Sequence, residues 1–192
     1  MLIKPLAFAL LAAAAVPAHA DWYLDNESSR LSFVTSKNAD IAEVQRFLVL
    51  HGKVDGNGAA QVEVELESIN SGIPLRDERM RNDLFEIKTF PDALINAQIN
   101  LQPINDLAPG AQLELRLPLR VTLHGKTQTY NAELLATRLD DRRFQVVTLE
   151  PVVMHAEDFD LMPGVAALRK AAGLASISLS VPVGAVLIFT AR

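Results

Sequence analysis

The sequence predicts an all-β fold. It holds about eight antiparallel strands in hairpin order with two short helices, closed as a barrel or stacked as a sandwich. Three observations carry this. Leu113, Leu115, Leu117, Leu119, Val121 and Leu123 alternate without a break against Glu114, Arg116, Pro118, Arg120 and Thr122. Such period-two patterning puts one set on each face of a strand. Turn-forming clusters recur between runs of this kind, at Asp55-Gly56-Asn57-Gly58, His124-Gly125-Lys126 and Asp140-Asp141-Arg142-Arg143, as hairpins require. Two stretches, 74–85 and 165–172, leave the alternation for helical spacing. Strands joined by tight turns build either architecture. An eight-stranded barrel can be filled by its own side chains or can hold one small ligand.

Residues 1–20 read as a secretory signal peptide. Lys4 is the basic start, Leu6 to Val16 the apolar run, and Ala18-His19-Ala20 an Ala-x-Ala cleavage site. Residues 21–192 then form one domain, of a size that supports a core. Cysteine is absent, so stability must come from burial. The whole chain carries a net charge of −5. Removal of Lys4 makes the exported domain more acidic still, which argues against nucleic acid as a partner.

In chain order, Trp22-Tyr23-Leu24-Asp25 opens the domain and Asn26 to Ser29 forms a turn. Arg30 to Val34 is the first strand, broken at Lys37 to Asp40. Glu43 to Val54 is the second, with Phe47, Val49 and His51 expected on one side. Val62, Val64 and Leu66 alternate with Glu63, Glu65 and Glu67, so this strand has one wet face. In 68–91, Ile73, Met80, Leu84 and Ile87 recur at helical spacing. Pro74 suits a first helical turn and Phe90-Pro91 a stop, giving a helix over 74–85. Ala93 to Leu101 is a strand and Pro103 to Gly110 a loop. The strand at 113–123 carries Pro118, which predicts an edge, bulge or seam there. Thr127 to Thr137 and Phe144 to Leu149 are strands. Val165 to Ala172 is a short helix stopped by Gly173. Ser176 to Thr190 is the last strand; it lacks charge and is expected to be the most buried.

Signals for catalysis are sparse. No Gly-x-Ser-x-Gly elbow occurs. Gly125-Lys126-Thr127 lacks the upstream glycine of a phosphate loop, because position 120 is Arg. His51, His124 and His155 form no local ligand pair, so no metal is assigned. The acidic groups Glu157, Asp158, Asp160 and Asp77, Glu78, Asp83 read as helix-terminal and solvated charge. Arg76, Arg79 and Arg81 could hold an anionic head group, but ion pairing within their helix is the expected role. No catalytic residue is assigned.

The run Ser68-Ile69-x-Ser71-Gly72-Ile73-x-Leu75-Arg76-Asp77-Glu78-Arg79-Met80-Arg81, followed by Leu84-Phe85 and Phe90-Pro91, resembles the YceI-like family. So do Trp22-x-x-Asp25, Ser29-x-Leu31-x-Phe33, Phe47 with Gly52, Val62-x-Val64, Leu123-x-Gly125-x-Thr127, Phe159 to Gly164 and the closing strand to Phe189. Two positions depart from the family pattern. Ser28 stands where a His is common, and Gln45-Arg46 precedes Phe47 where a Gly is common. The resemblance implies an eight-stranded antiparallel lipocalin-like barrel with an elongated apolar cavity. It implies an exported, periplasmic binding protein for a polyisoprenoid or another amphiphilic lipid, such as a quinone tail, for transport, storage or sequestration. The lipid is cargo, and no cofactor is implied. Brief membrane contact and a homodimer are further expectations. On this reading the lining is Phe33, Phe47, Val64, Ile95, Ile99, Leu115, Leu117, Ile177 and Leu179, and Met80, Leu84 and Phe85 close one end. The alternatives are a filled barrel acting as a ligand-free structural or stress-related interaction protein, and an enzyme using the acidic clusters on a bound amphiphile.

Overall fold

The computed structural model describes residues 21–192; the expected signal peptide lies outside them. The strands close into an antiparallel barrel of eight staves, which resolves the choice between barrel and sandwich. The first stave is β1 (Trp22–Leu24) with β2 (Arg30–Lys37), the second β3 (Ile41–Phe47) with β4 (Leu50–Val54). The third is β5 (Ala59–Glu65) with β6 (Ile69–Asn70), the fourth β7 (Asp92–Gln98), the fifth β8 (Gln112–Leu123) and the sixth β9 (Lys126–Arg138). The seventh is β10 (Arg143–Thr148) with β11 (Val152–His155), and the eighth is β12 (Ser180–Ala191). Each stave pairs with the next, and β12 returns to pair with both β1 and β2.

The split staves mark where the barrel bends. In the second, Phe47 and Leu50 are both buried while Leu48 between them is exposed. The inward parity therefore shifts across Leu48-Val49. This corrects the expected grouping of Phe47, Val49 and His51: His51 points outward and meets Glu65 at 2.8 Å. The break is held by side chains. Ser68 Oγ accepts from the amides of Leu48 and Val49 at 3.1 and 3.0 Å and donates to the Glu65 carbonyl. Asn26 Oδ1 accepts from the Leu50 amide at 2.7 Å. The gap between β1 and β2 is tied by Ser29 Oγ, which accepts from the Ile188 amide at 3.0 Å.

The barrel has one weak seam. β7 pairs with β8 only over Leu94–Asn96 against Arg120–Thr122. Pro118 sits beyond that pairing, where a missing N–H is tolerated. The segment expected as a loop carries a helical turn here, α1 (Gln102–Asn105), and its Ile104 is buried. Arg138 pins this turn by donating to the carbonyls of Asn105 and Leu107 at 2.7 and 2.9 Å.

The expected helix over 74–85 is an α-helix, Pro74–Arg79, that widens into a π turn at Met80–Leu84. The expected helix over 165–172 starts earlier, at Met162–Ala171, with Pro163 in its first turn. These two helices pack together and cover one end of the barrel. Gly164 makes that contact, since a Cβ there would lie 2.6 Å from the Asp83 carbonyl oxygen. The last strand begins at Ser180, and Ile177 makes an isolated bridge to Lys37. It is not the most buried strand: only Ile188 and Phe189 are buried in it, and Val186 is exposed. Its lack of charge marks an uncharged outer face and a cavity-facing inner one.

Candidate functional site: an amphiphilic barrel lumen

Along the first two staves the inward positions form a graded column. The register pairs Leu31 with Phe47, Phe33 with Gln45, Thr35 with Glu43 and Lys37 with Ile41. Because side chains alternate, Leu31, Phe33, Thr35 and Lys37 share one face with Phe47, Gln45 and Glu43. The column therefore runs from apolar, where Phe33 and Phe47 stack at 5.5 Å, to amide and hydroxyl, and then to charge.

This column lines the larger of two chambers, a cavity of about 410 Å³. Its apolar wall is built by Val64, Met80, Leu84, Phe85, Ile95 and Val121 among others. Its polar end is formed by Thr35, Lys37, Glu43, Gln45, Arg76 and Arg79, with half-exposed Ile73 at the opening. The second chamber, about 170 Å³, is lined by Trp22, Ile99, Leu117, Phe144 and Leu187 among others. Leu31, Ile95, Val121, Met154 and Val183 border both chambers, so they form a waist where the two adjoin. An apolar void of about 150 Å³ suffices to hold benzene, and each chamber exceeds that size.

The polar end carries an ion triad. Lys37 Nζ meets Glu43 Oε1 at 2.8 Å, and Arg76 bonds Glu43 Oε2. Lys37, reinforced by Arg76, holds the Glu43 carboxyl below the usual range against the opposing effect of burial. Arg76 also donates to the Ser71 carbonyl at 2.8 Å. Deeper in, Gln45 Nε2 donates to Thr35 Oγ1 at 3.0 Å.

The arginines do not pair within their helix, which corrects that expectation. Arg79 donates to the Ala171 carbonyl at 3.3 Å, and Arg81 to those of Glu67 and Ile69 at 2.7 and 3.3 Å. Carbonyls at the stave break and at the end of the second helix lie within reach and take these donors instead. Asp77 is buried and accepts from the amide and hydroxyl of Ser71, which closes the entry turn. Asp158 accepts from Tyr130 Oη at 2.9 Å, and Asp160 pairs with Lys126 at 2.9 Å. Asp77, Asp158 and Asp160 thus tie different elements together. Among the described residues, no group of three or more His, Cys, Asp or Glu could hold a metal ion.

Against known proteins, residues 22–188 match the model of the YceI-like domain. The chain belongs to the YceI-like family. A similar solved structure is a polyisoprenoid binding domain from Saccharophagus degradans implicated in plant cell wall breakdown. It is 35% identical, with a TM-score of 0.87 over 89% of this chain and 98% of that one. BcnA of Burkholderia cenocepacia shares the fold at 16% identity, with a TM-score of 0.65 over 86% and 98% of the two chains. The Campylobacter jejuni YCEI protein shares it at 11% identity, with a TM-score of 0.55 over 77% and 84%. No curated protein matches the chain.

In this YceI-like barrel, Phe33, Phe47, Val64, Met80, Leu84, Phe85, Ile95 and Ile177 border the larger chamber. Ile95, Ile99 and Leu117 border the smaller one. Leu115 and Leu179 border neither: Leu115 lies in β8 opposite Leu134, and Leu179 packs on the buried group of Val121, Ala156, Phe159 and Leu161. Sequence reasoning missed Leu31, Val121 and Val183 at the waist. Their parity along the strands, shared with Phe33, Leu117 and Leu179, is the signal that finds them. It also missed Thr35, Glu43 and Gln45, because inward polar side chains run against the burial pattern.

Proposed function

We propose that this protein binds one molecule of a polyisoprenoid or similar amphiphilic lipid in the barrel lumen, in a binding rather than a catalytic role. The graded column from Leu31 and Phe47 through Gln45 to Lys37 carries this reading. An apolar tail needs a long oil-filled passage and a polar end where its head can stay hydrated or hydrogen-bonded. Each buried methylene contributes about 0.8 kcal/mol, so a few isoprene units supply affinity without a charged anchor. The likeness to the polyisoprenoid binding domain of Saccharophagus degradans supports the same class of ligand. Export to the periplasm, with transport, storage or sequestration of the lipid there, completes the reading. Ile73 and Leu75, both exposed beside the opening, suit a brief contact with a membrane surface during exchange.

The test uses the single tryptophan. Trp22 borders the smaller chamber and packs edge-on to Phe144 with ring centroids 4.8 Å apart. A tail that passes the waist must change its surroundings. Titration with a C40 polyprenol is expected to shift Trp22 emission and saturate at one lipid per chain. A flat signal, with no lipid retained on gel filtration, contradicts the reading.

A further inference from the structure

Two polar atoms at the same end of the larger chamber lack partners. Gln45 is only 3% exposed, and its Oε1 is buried without a hydrogen bond, while its Nε2 is committed to Thr35 Oγ1. Arg76 Nε is likewise buried without a partner, although the two terminal nitrogens of its guanidinium are engaged by Glu43 and the Ser71 carbonyl. Both residues border the chamber. One offers a free acceptor and the other a free donor. A buried polar group without a partner costs free energy comparable to a lost hydrogen bond, so such atoms mark where a ligand supplies what the protein does not.

We infer that the polar end of the larger chamber selects a lipid whose head carries a hydroxyl, which donates to Gln45 Oε1 and accepts from Arg76 Nε. This deepens, and rests on, the lipid-binding reading. A hydroxyl is the smallest group that does both at one oxygen. A carbonyl or an ether oxygen can only accept, so it satisfies Arg76 and leaves Gln45 bare. Glu43 sits between Lys37 and Arg76, whereas Arg79 at the same end bonds only the Ala171 carbonyl, so the discrimination made by the two free atoms is among neutral heads. Among neutral heads the site thus favours an alcohol, phenol or quinol over a quinone.

The probes are geranylgeraniol and its methyl ether. They share the chain and the acceptor oxygen, and they differ in the donor. The wild-type protein is expected to bind the alcohol about tenfold more tightly, the worth of roughly 1.4 kcal/mol. In Gln45→Met, which keeps the length of the side chain and removes its amide, the alcohol-over-ether preference is expected to fall below about twofold. Equal affinities in the wild type overturn the head-group inference alone, and that comparison needs no variant. A tenfold preference that persists in Gln45→Met overturns the role of Gln45. Failure of both probes to bind overturns the lipid reading and the inference with it.

Discussion

At the residue scale, the less exposed polar side chains Tyr130 and Gln45 illustrate two roles, joining elements and facing the larger chamber. Tyr130 is of the first kind. Burial, aided by its bond to Asp158, pushes its hydroxyl up to about 12. The unfolded chain releases that proton near 10, so this contribution is whole below pH 10 and is lost as pH rises from about 10 to 12. Urea titrations across that window are expected to show Tyr130→Phe losing less stability than the wild type; parallel losses contradict the assignment. Gln45 is of the second kind, and it shows what the sequence hides. The positions Glu43, Gln45 and Phe47 alternate correctly for an inward face, yet only Phe47 has the apolar signature that marks such a face. Polar residues turned into a lumen look like the wet side of a strand.

At the element scale, the longer strands and the two helices of the lid were legible because alternation, turn residues and helix stops agreed with one another, whereas the short strands Ile69–Asn70 and Val152–His155 were not. Nor were the breaks within staves. A shift of parity at Leu48-Val49 needs two unpaired amides, and their partner, Ser68, is distant in sequence. Nothing local in 43–54 announces it. The motif Ser68-Ile69 therefore gains a physical reason: its hydroxyl fixes the break that lets Phe47 and Leu50 both face inward. Ser68→Ala leaves the Val49 amide unpartnered, which is expected to cost roughly 1–3 kcal/mol. Chemical denaturation monitored by far-UV circular dichroism measures this; an unchanged midpoint shows that the break holds itself. The turn at 102–105 escaped notice for another reason. Pro103 reads as a loop residue, whereas here it occupies a first helical turn, where proline is tolerated.

At the scale of the whole molecule, closure of eight staves around too few large side chains leaves a lumen instead of a solid core. Period-two patterning is the same for a filled barrel and a hollow one, so alternation alone could not separate them. The difference lies in how much volume the inward side chains fill across the barrel, as at Gly184, Ala185 and Ala97, which border the smaller chamber. Such a sum needs the register of every strand. The lid formed by the helices at 74–84 and 162–171 likewise rests on contacts between segments far apart in the chain, Gly164 against Leu84 and Arg79 to the Ala171 carbonyl. The most direct test of a lipid-filled lumen is native mass spectrometry of the protein purified from its native source, with organic extraction of whatever it carries. One apolar, hydroxyl-bearing isoprenoid per chain is the expected adduct. A bare chain mass that persists under gentle ionisation, with nothing in the extract, would contradict it.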